Sequence, residues 1–426
     1  MDPFPAINFS GIPIPKAIAM YRNQGPIFPV EIDGAQWVAL AGPEANTFCW
    51  GNPDFWSYGD AMQGFTEELG PTHLTQLDRA PHRRKRRLLN PGFSLPAVMR
   101  RIPQMAQVIE SWLPRAEGGP FELHEFLMTL LTDVQSRASL SVELSDERLH
   151  QLVRFEEEFI TAALMERERR HRYYSRAGYQ ELKSDVLNFL GGIVDDRLAG
   201  LRNGDGLSDI LDAAEGARFE PPTREELIFD AYLLLIAGSG NTAKIICRAL
   251  YHIFENPDWL EKLRNELAGF SGDSLAAGMS AFPLLKATIL EAERMYPAAP
   301  VLPRVAFQDI TFAGQTIPAG TRVLHLHTLT HYLDEFYEDP FTWNPARWLS
   351  LDVSKDRRAQ HGAFGGGSHI CLGMNLARVH APLVIGYFVK NFTLRCDEPP
   401  SSRIVVPEAP DSPFTLKFDV SLARNI

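Results

Sequence analysis

Of the 426 residues, 45% are hydrophobic and 22% charged, the balance of a folded globular chain and not of a disordered one. Lys and Arg number 42 against 53 Asp and Glu, a net charge of −11, which argues against a general nucleic-acid-binding surface. The four cysteines (Cys49, Cys247, Cys371 and Cys396) are scattered and include no Cys-x-x-Cys pair. That argues against a disulfide framework and a structural zinc site, and points to a reducing, cytoplasmic compartment. The first twenty residues are broken by prolines and resemble neither a signal peptide nor a membrane anchor. The longest apolar stretch, residues 231–238, is far short of the roughly 20 residues that span a bilayer.

In chain order, strands are expected at residues 27–32 and 36–41, flanking the hairpin turn Asp33-Gly34. From about 96 to 296 the sequence predicts successive helices, with loops near 202–206 and 220–222. Thr223 and Glu226 form a capping-box signature, and Asn256-Pro257 is a stop. The pattern between them predicts one helix over 223–255, roughly 50 Å long, apolar around much of its circumference and therefore buried. Its middle reads Ala237-Gly238-Ser239-Gly240-Asn241-Thr242. An interior glycine costs about 1 kcal/mol relative to alanine. Two of them beside three polar side chains point either to close helix packing with Ser and Thr back-bonding or to a local opening beside a ligand. Strands are expected again at 310–312 and 321–326, joining the N-terminal strands in one sheet, and the last twenty-odd residues read as a small hairpin. Neither a repeat nor a linker interrupts the chain, which reads as a single domain over 1–426.

The most informative segment is Phe364-Gly-Gly-Gly-Ser-His-Ile-Cys371-Leu-Gly373. Three successive glycines let the backbone turn tightly, and residues 372–389 then predict a buried helix. Cys371 sits just ahead of that helix, where unpaired amides and the helix dipole favour a thiolate. A thiolate so held is a nucleophile or a metal ligand. A nucleophile requires a base, for which His369 is the nearby candidate. A metal with one protein ligand points to haem.

The segment resembles the haem-ligand loop of the cytochrome P450 family, Phe-x-x-Gly-x-His/Arg-x-Cys-x-Gly, and the other motifs follow in the family's order. The resemblance implies that Cys371 ligates the iron of haem b, with Phe364, Gly365 and Gly373 shaping the cofactor loop. Glu291-Ala-Glu-Arg294 resembles the family's Glu-x-x-Arg helix, and Pro345-Ala-Arg347-Trp348 the segment that carries the third member of a structural charge network. Such a network is stable in the interior only when all its partners are present. His82 and Arg86, one helical turn apart, together with Arg304 and His369, resemble the groups that bind haem propionates, anions suited to guanidinium forks and imidazolium. The remaining charges of the basic run at 83–87 are expected to form a proximal docking patch for an acidic ferredoxin or flavodoxin.

One departure lies in the long helix, where the family usually shows Ala-Gly-x-Asp/Glu-Thr-Thr/Ser. Ala237 and Gly238 match, but Gly240 stands at the acid, Asn241 at the first Thr and Thr242 after it. In the family that acid–alcohol pair helps deliver protons for O–O scission. Gly238, Gly240, Asn241 and Thr242 are therefore the catalytic candidates. Phe65, Leu69, Leu233, Ala237, Val301, Leu302 and Phe414 match stretches that wall the family's pocket.

The resemblance implies a mainly α fold with small β-sheets, a triangular prism with a long central helix over the haem. The implied activity is a haem-thiolate monooxygenase that places one atom of O2 in a lipophilic small molecule of secondary metabolism, with electrons from NAD(P)H. The Gly240-Asn241 departure keeps a haem-thiolate coupling, cyclising or peroxide-using enzyme as the alternative. A cytoplasmic monomer with no nucleic acid and no membrane anchor is expected.

Overall fold

The structure, a computed structural model, describes residues 8–9, 12–32, 34–163, 165, 167–216, 221–236, 238–350, 360–396 and 418–425. In chain order the elements begin with β1 (Asn8–Phe9), β2 (Ile12–Pro13), α1 (Ile14–Gln24), β3 (Ile27–Ile32), β4 (Ala35–Ala41), α2 (Gly42–Gly51), β5 (Trp56–Ser57), α3 (Gln63–Leu69) and α4 (Arg79–Phe93). There follow α5 (Leu95–Ala116), β6 (Gly118–Glu122), α6 (Leu123–Leu140), α7 (Asp146–Ala163), α8 (Arg167–Tyr174), α9 (Ala177–Leu198), α10 (Gly206–Gly216), α11 (Arg224–Ile236) and α12 (Ser239–Phe254). The last are α13 (Pro257–Glu266), α14 (Gly272–Ala277), α15 (Pro283–Met295), β7 (Leu302–Ala306), β8 (Ile310–Phe312), β9 (Gln315–Ile317), β10 (Arg322–Leu326), α16 (Arg347–Ser350), α17 (Met374–Asn391), β11 (Phe392–Arg395) and β12 (Asp419–Arg424). Two compact units arise, one of residues 1–66, 70–84 and 287–372, the other of 67–69, 85–286 and 373–426.

The first unit is built on a five-stranded sheet of order β3-β4-β10-β7-β5. The N-terminal strands and two of the late strands do share this sheet, with β10 parallel to β4 and antiparallel to β7. Alternation along each strand divides its residues between two cores. Ala39, Ala41, Leu324 and Leu326 pack with Ile14 and Ala17 of α1, whereas Leu40 and Val323 pack with Ala45 and Cys49 of α2 and with Trp56. Strand β8 stays out of this sheet and forms its own hairpin with β9. Gly34 holds the left-handed φ of 74° that the β3–β4 turn requires, and Asp33 lies outside the described residues.

The second unit is helical. Helix α6 packs against α5, α11 and α12, and α17 packs against α5 and α12. The buried faces are apolar at helical spacing, as in Leu127, Leu130, Leu131 and Val134 of α6 and Ile246, Leu250 and Ile253 of α12. One expectation needs correction here. A strand, β6, interrupts the helical stretch: it begins Gly118-Gly119-Pro120, residues that end a helix, and pairs with β12. Strand β12 pairs with β11 and β6; most of the hairpin expected in the last twenty-odd residues falls on 397–417, which lie outside the described residues.

The helix expected over 223–255 is two helices, α11 and α12, with Gly238 as the N-cap of α12 at φ −107°. The capping box at its start is complete, Thr223 N–H donating to Glu226 Oε2 at 2.8 Å and Glu226 N–H to Thr223 Oγ1 at 3.2 Å. The apolar run through both helices is long enough to cross a bilayer, yet most of it is buried inside the protein.

Candidate active site

Cys371 lies in the first unit on a loop whose shape its glycines set. Gly365 and Gly367 take left-handed φ values of 69° and 65°, where a side chain is strained. Trp50, the penultimate residue of α2, presses on the same loop. A Cβ at Gly366 would stand 2.3 Å from Trp50 Cδ2, and one at Gly367 2.4 Å from the Trp50 carbonyl oxygen. Within the loop, Cys371 N–H donates to the Phe364 carbonyl at 2.9 Å and Gly365 N–H to that of Gly362 at 2.8 Å. The thiol of Cys371 is thereby left exposed, whereas Cys49 and Cys247 are buried. Burial pushes the Cys49 thiol up to about 12 and that of Cys247 well above its ordinary range, so neither provides a thiolate.

Beside this loop lies a stack of rings. The His369 imidazole sits 3.7 Å from the Tyr58 ring on one side and 3.7 Å from the His82 ring on the other. The Arg304 guanidinium covers Tyr58 at 4.1 Å from its centroid. Arg304 is 1% exposed; among the described residues no carboxylate lies within ion-pair distance of it and its Nε finds no acceptor. The neighbouring His325 and His327 offer no charge, since burial first and Arg304 second depress both imidazoles, His327 to about 3. A buried cation without a counter-ion is unfavourable. An anion facing Arg304 would relieve that cost. Arg86 is half-buried, and Gly373 caps the N-terminus of α17; both belong to the second unit.

The structure brings Glu291, Arg294 and Arg347 together in the first unit. Arg294 grips Glu291 with two hydrogen bonds of 2.9 and 2.8 Å. Arg347 Nε, Asn344 N–H and Trp348 Nε1 also donate to it, at 3.2, 3.0 and 2.8 Å. Burial alone would raise the Glu291 carboxyl, but hydrogen bonds and charge from Arg294 and Arg347 hold it below the usual range. Arg294 also donates to the carbonyls of His331 and Pro340, at 2.8 and 2.7 Å. From there the network reaches the cysteine loop. His331 Nδ1 donates to the Arg294 carbonyl at 2.9 Å, which leaves Nε2 to accept from Gly362 N–H at 3.1 Å. Burial keeps this imidazole neutral.

The second unit holds the catalytic candidates of α12. Gly238 caps the helix, Gly240 and Thr242 are buried, and Asn241 presents its side chain outward. Sequence reasoning missed the carboxyl that meets them. Ser239 Oγ donates to Glu156 Oε2 of α7 at 2.9 Å. A second missed group changes the reading of the basic run. Lys85 is buried and pairs with Asp230 of α11 at 2.7 Å, so it cannot belong to a docking patch; Arg83, Arg84 and Arg87 are exposed. Of the expected pocket-wall residues, Phe65, Val301, Leu302 and Leu233 are half-buried and Leu69 is buried. Ala237 and Phe414 lie outside the described residues.

The fold and this cysteine loop define a haem-thiolate protein. The family model for cytochrome P450 matches residues 11–412, and the chain belongs to that family. Cytochrome P450 139 of Mycobacterium tuberculosis is 26% identical over 406 residues, 91% of this chain and 92% of its own. Cyclooctat-9-en-7-ol 5-monooxygenase of Streptomyces melanosporofaciens is 26% identical over 371 residues, 81% of this chain and 77% of its own. Among solved structures, the retinoic acid-bound cyanobacterial CYP120A1 superposes with a TM-score of 0.78 at 21% identity, covering 96% of this chain and 94% of that one. The protein is a cytochrome P450 monooxygenase with the family's fold and its cysteine-ligated haem.

Proposed function

We propose that the protein places one oxygen atom of O2 in a lipophilic small molecule, with Cys371 as the axial thiolate and Arg304, His82 and His369 facing the haem propionates. The observation that carries this reading is an exposed Cys371 in the same unit as a buried Arg304 that has no carboxylate within ion-pair distance among the described residues. When bound, haem with a thiolate ligand supplies the O–O cleavage chemistry. The chain's own residues hold and orient it: the Trp50-clamped loop fixes the thiolate, and the Glu291–Arg294–His331–Gly362 relay fixes the loop's approach. Exposed Arg83, Arg84 and Arg87 suit an acidic ferredoxin or flavodoxin as electron donor. Half-buried Val301 and Leu302 of the first unit favour an apolar substrate. The names of relatives agree, one acting on cyclooctat-9-en-7-ol and one solved with retinoic acid.

The test is a spectral-shift screen of a lipophilic library on the holoprotein, followed by turnover of the hits with NADPH, a ferredoxin and its reductase. Turnover that needs the redox partners supports monooxygenation. Coupled, ring-closed or peroxide-driven products without a reductase would support the alternative that Gly240-Asn241 motivates.

A further inference from the structure

Strand pairing in the first unit sets Tyr58 beside Arg304. Strand β5 pairs antiparallel with β7, Trp56 opposite Ala306 and Ser57 opposite Val305, and one further step in that register brings Tyr58 to Arg304. Facing residues on antiparallel strands bring their side chains together. The Arg304 guanidinium lies over the Tyr58 ring, 4.1 Å from its centroid. The His369 ring stacks on Tyr58 at 3.7 Å with the planes 9° apart, and His82 on His369 at 3.7 Å and 13°. The backbone of Tyr58 is fixed as well. Tyr58 N–H donates to Asp78 Oδ1 at 2.9 Å and Ser57 Oγ to Asp78 Oδ2 at 3.0 Å, while the Asp78 carbonyl accepts from His82 N–H at 3.2 Å. One residue thus ties the strand end that bears Tyr58 to the helical turn that bears His82. That link is held against strain. Arg79, next in the chain, takes a left-handed φ of 55°, unfavourable for a residue with a side chain. Its guanidinium is anchored at the Asp54 carbonyl, 3.0 Å from Nη2, and over the Phe307 ring at 3.2 Å. All of these residues belong to the first unit.

Among the described residues Arg304 has few polar contacts. Its Nη1 donates to the Pro303 carbonyl at 3.2 Å, and its Nε finds no acceptor. The Tyr58 ring makes up part of that deficit, because the face of an aromatic ring attracts a cation, more strongly where water is excluded. A cation held in this way keeps its charge, whereas a phenolate would neutralise it. Burial raises the Tyr58 phenol by more than the Arg304 charge lowers it, so the ring stays protonated at neutral pH.

We infer that Tyr58 is a positioning residue for the haem: its ring holds the Arg304 guanidinium and the His369 imidazole in one stack, by a cation–π contact that leaves the Arg304 charge available to a carboxylate. This rests on the reading that Arg304 faces the haem propionates. Tyr58 acts through Arg304, and its effect is on how firmly the cofactor is kept. The contact uses the face of the ring, so an aromatic side chain is required at 58 and a hydroxyl is not.

The test follows the rate at which the holoprotein gives up its haem to an excess of apomyoglobin, a readout that needs no turnover. Tyr58→Phe should lose haem at close to the unaltered rate, and Tyr58→Leu about tenfold faster. Phenylalanines bearing successively more ring fluorines, placed at 58, nearly keep the size of the ring while draining charge from its face, and haem loss should quicken with each fluorine. In Arg304→Met, itself quick to lose haem, Tyr58→Leu and the fluorines should add nothing, because the contact they weaken is already gone. Should Tyr58→Leu fail to fold, the fluorine series, which leaves the packing intact, decides alone. Loss rates that ignore the fluorines, or a Tyr58→Leu effect of the same size with and without Arg304, would overturn the inference and leave the ring a packing role only. An Arg304→Met holoprotein that keeps its haem as firmly as the unaltered one would overturn the propionate reading beneath it.

Discussion

Replacing Arg294 with Ala tests whether the buried charge network supports the cysteine loop. The change deletes both hydrogen bonds to Glu291 and both to the carbonyls of His331 and Pro340. Glu291, 0% exposed, stays in place. Breaking a buried pair from one side costs about 3–5 kcal/mol. Arg347 and Trp348 still face Glu291, so the lower end of that range applies to it. Each carbonyl left without its donor adds about 1 kcal/mol, for a total of about 5 kcal/mol. At about 2 °C or more per kcal/mol for a large domain, the holoprotein should melt about 10 °C lower. The haem-to-protein ratio should fall as well, because His331 and Gly362 lose their anchor. Arg294→Lys keeps the charge but not the fork and should fall between. Circular dichroism melting and haem content measure both effects. A shift under about 2 °C with full haem content would show that the network does not support the loop.

Arg304→Met should make the haem-free protein more resistant to denaturant, by removing a buried cation that has no counter-ion among the described residues, yet weaken haem retention; parallel denaturation of apo and holo forms reads both, and weaker apo stability would refute the assignment. Lys85→Met should destabilise more at pH 8 than at pH 5. Asp230 is raised by burial to about 6 from 3.8, against the pull of Lys85. A carboxyl raised in the folded state contributes stability at low pH that is lost as pH rises through its folded value. Removing Lys85 raises it further, so the loss should approach about 3–5 kcal/mol when Asp230 must ionise and shrink when it is protonated; urea denaturation at the two pH values should show that order. Gly366→Ala drives a methyl into Trp50 and should cost about 1–3 kcal/mol, with Trp50→Leu in the same chain restoring part of the lost melting temperature.

What the sequence disclosed was chiefly local. The cysteine loop, the Glu-x-x-Arg helix and the Thr223 capping box are each defined over a few residues, and their geometry follows from backbone chemistry at that range. The strands read at 27–32 and 36–41 were legible for the same reason, the second beginning one residue earlier in the structure. What escaped depends on partners distant in the chain. Nothing in a run of five basic residues distinguishes Lys85, which faces Asp230 145 positions on, from its exposed neighbours. Trp50 reads as one more aromatic until Gly366 and Gly367 close on it. Glu156 lies 83 positions before Ser239, and no local pattern in the sequence joins the two. The missing acid at 240 was visible, but the carboxyl that stands against it was not. Strand β6 was hidden because Gly-Gly-Pro reads as a turn, and only pairing with β12 extends it.

The most direct test of the account is the ferrous carbon monoxide spectrum of Cys371→Ser beside the unaltered protein and Cys49→Ala, Cys247→Ala and Cys396→Ala. If Cys371 is the thiolate ligand, the unaltered protein and the three alanine variants show the band near about 450 nm that marks thiolate ligation, and Cys371→Ser lacks it. Persistence of the band in Cys371→Ser, or its loss in one of the other three with haem still bound, would contradict the account.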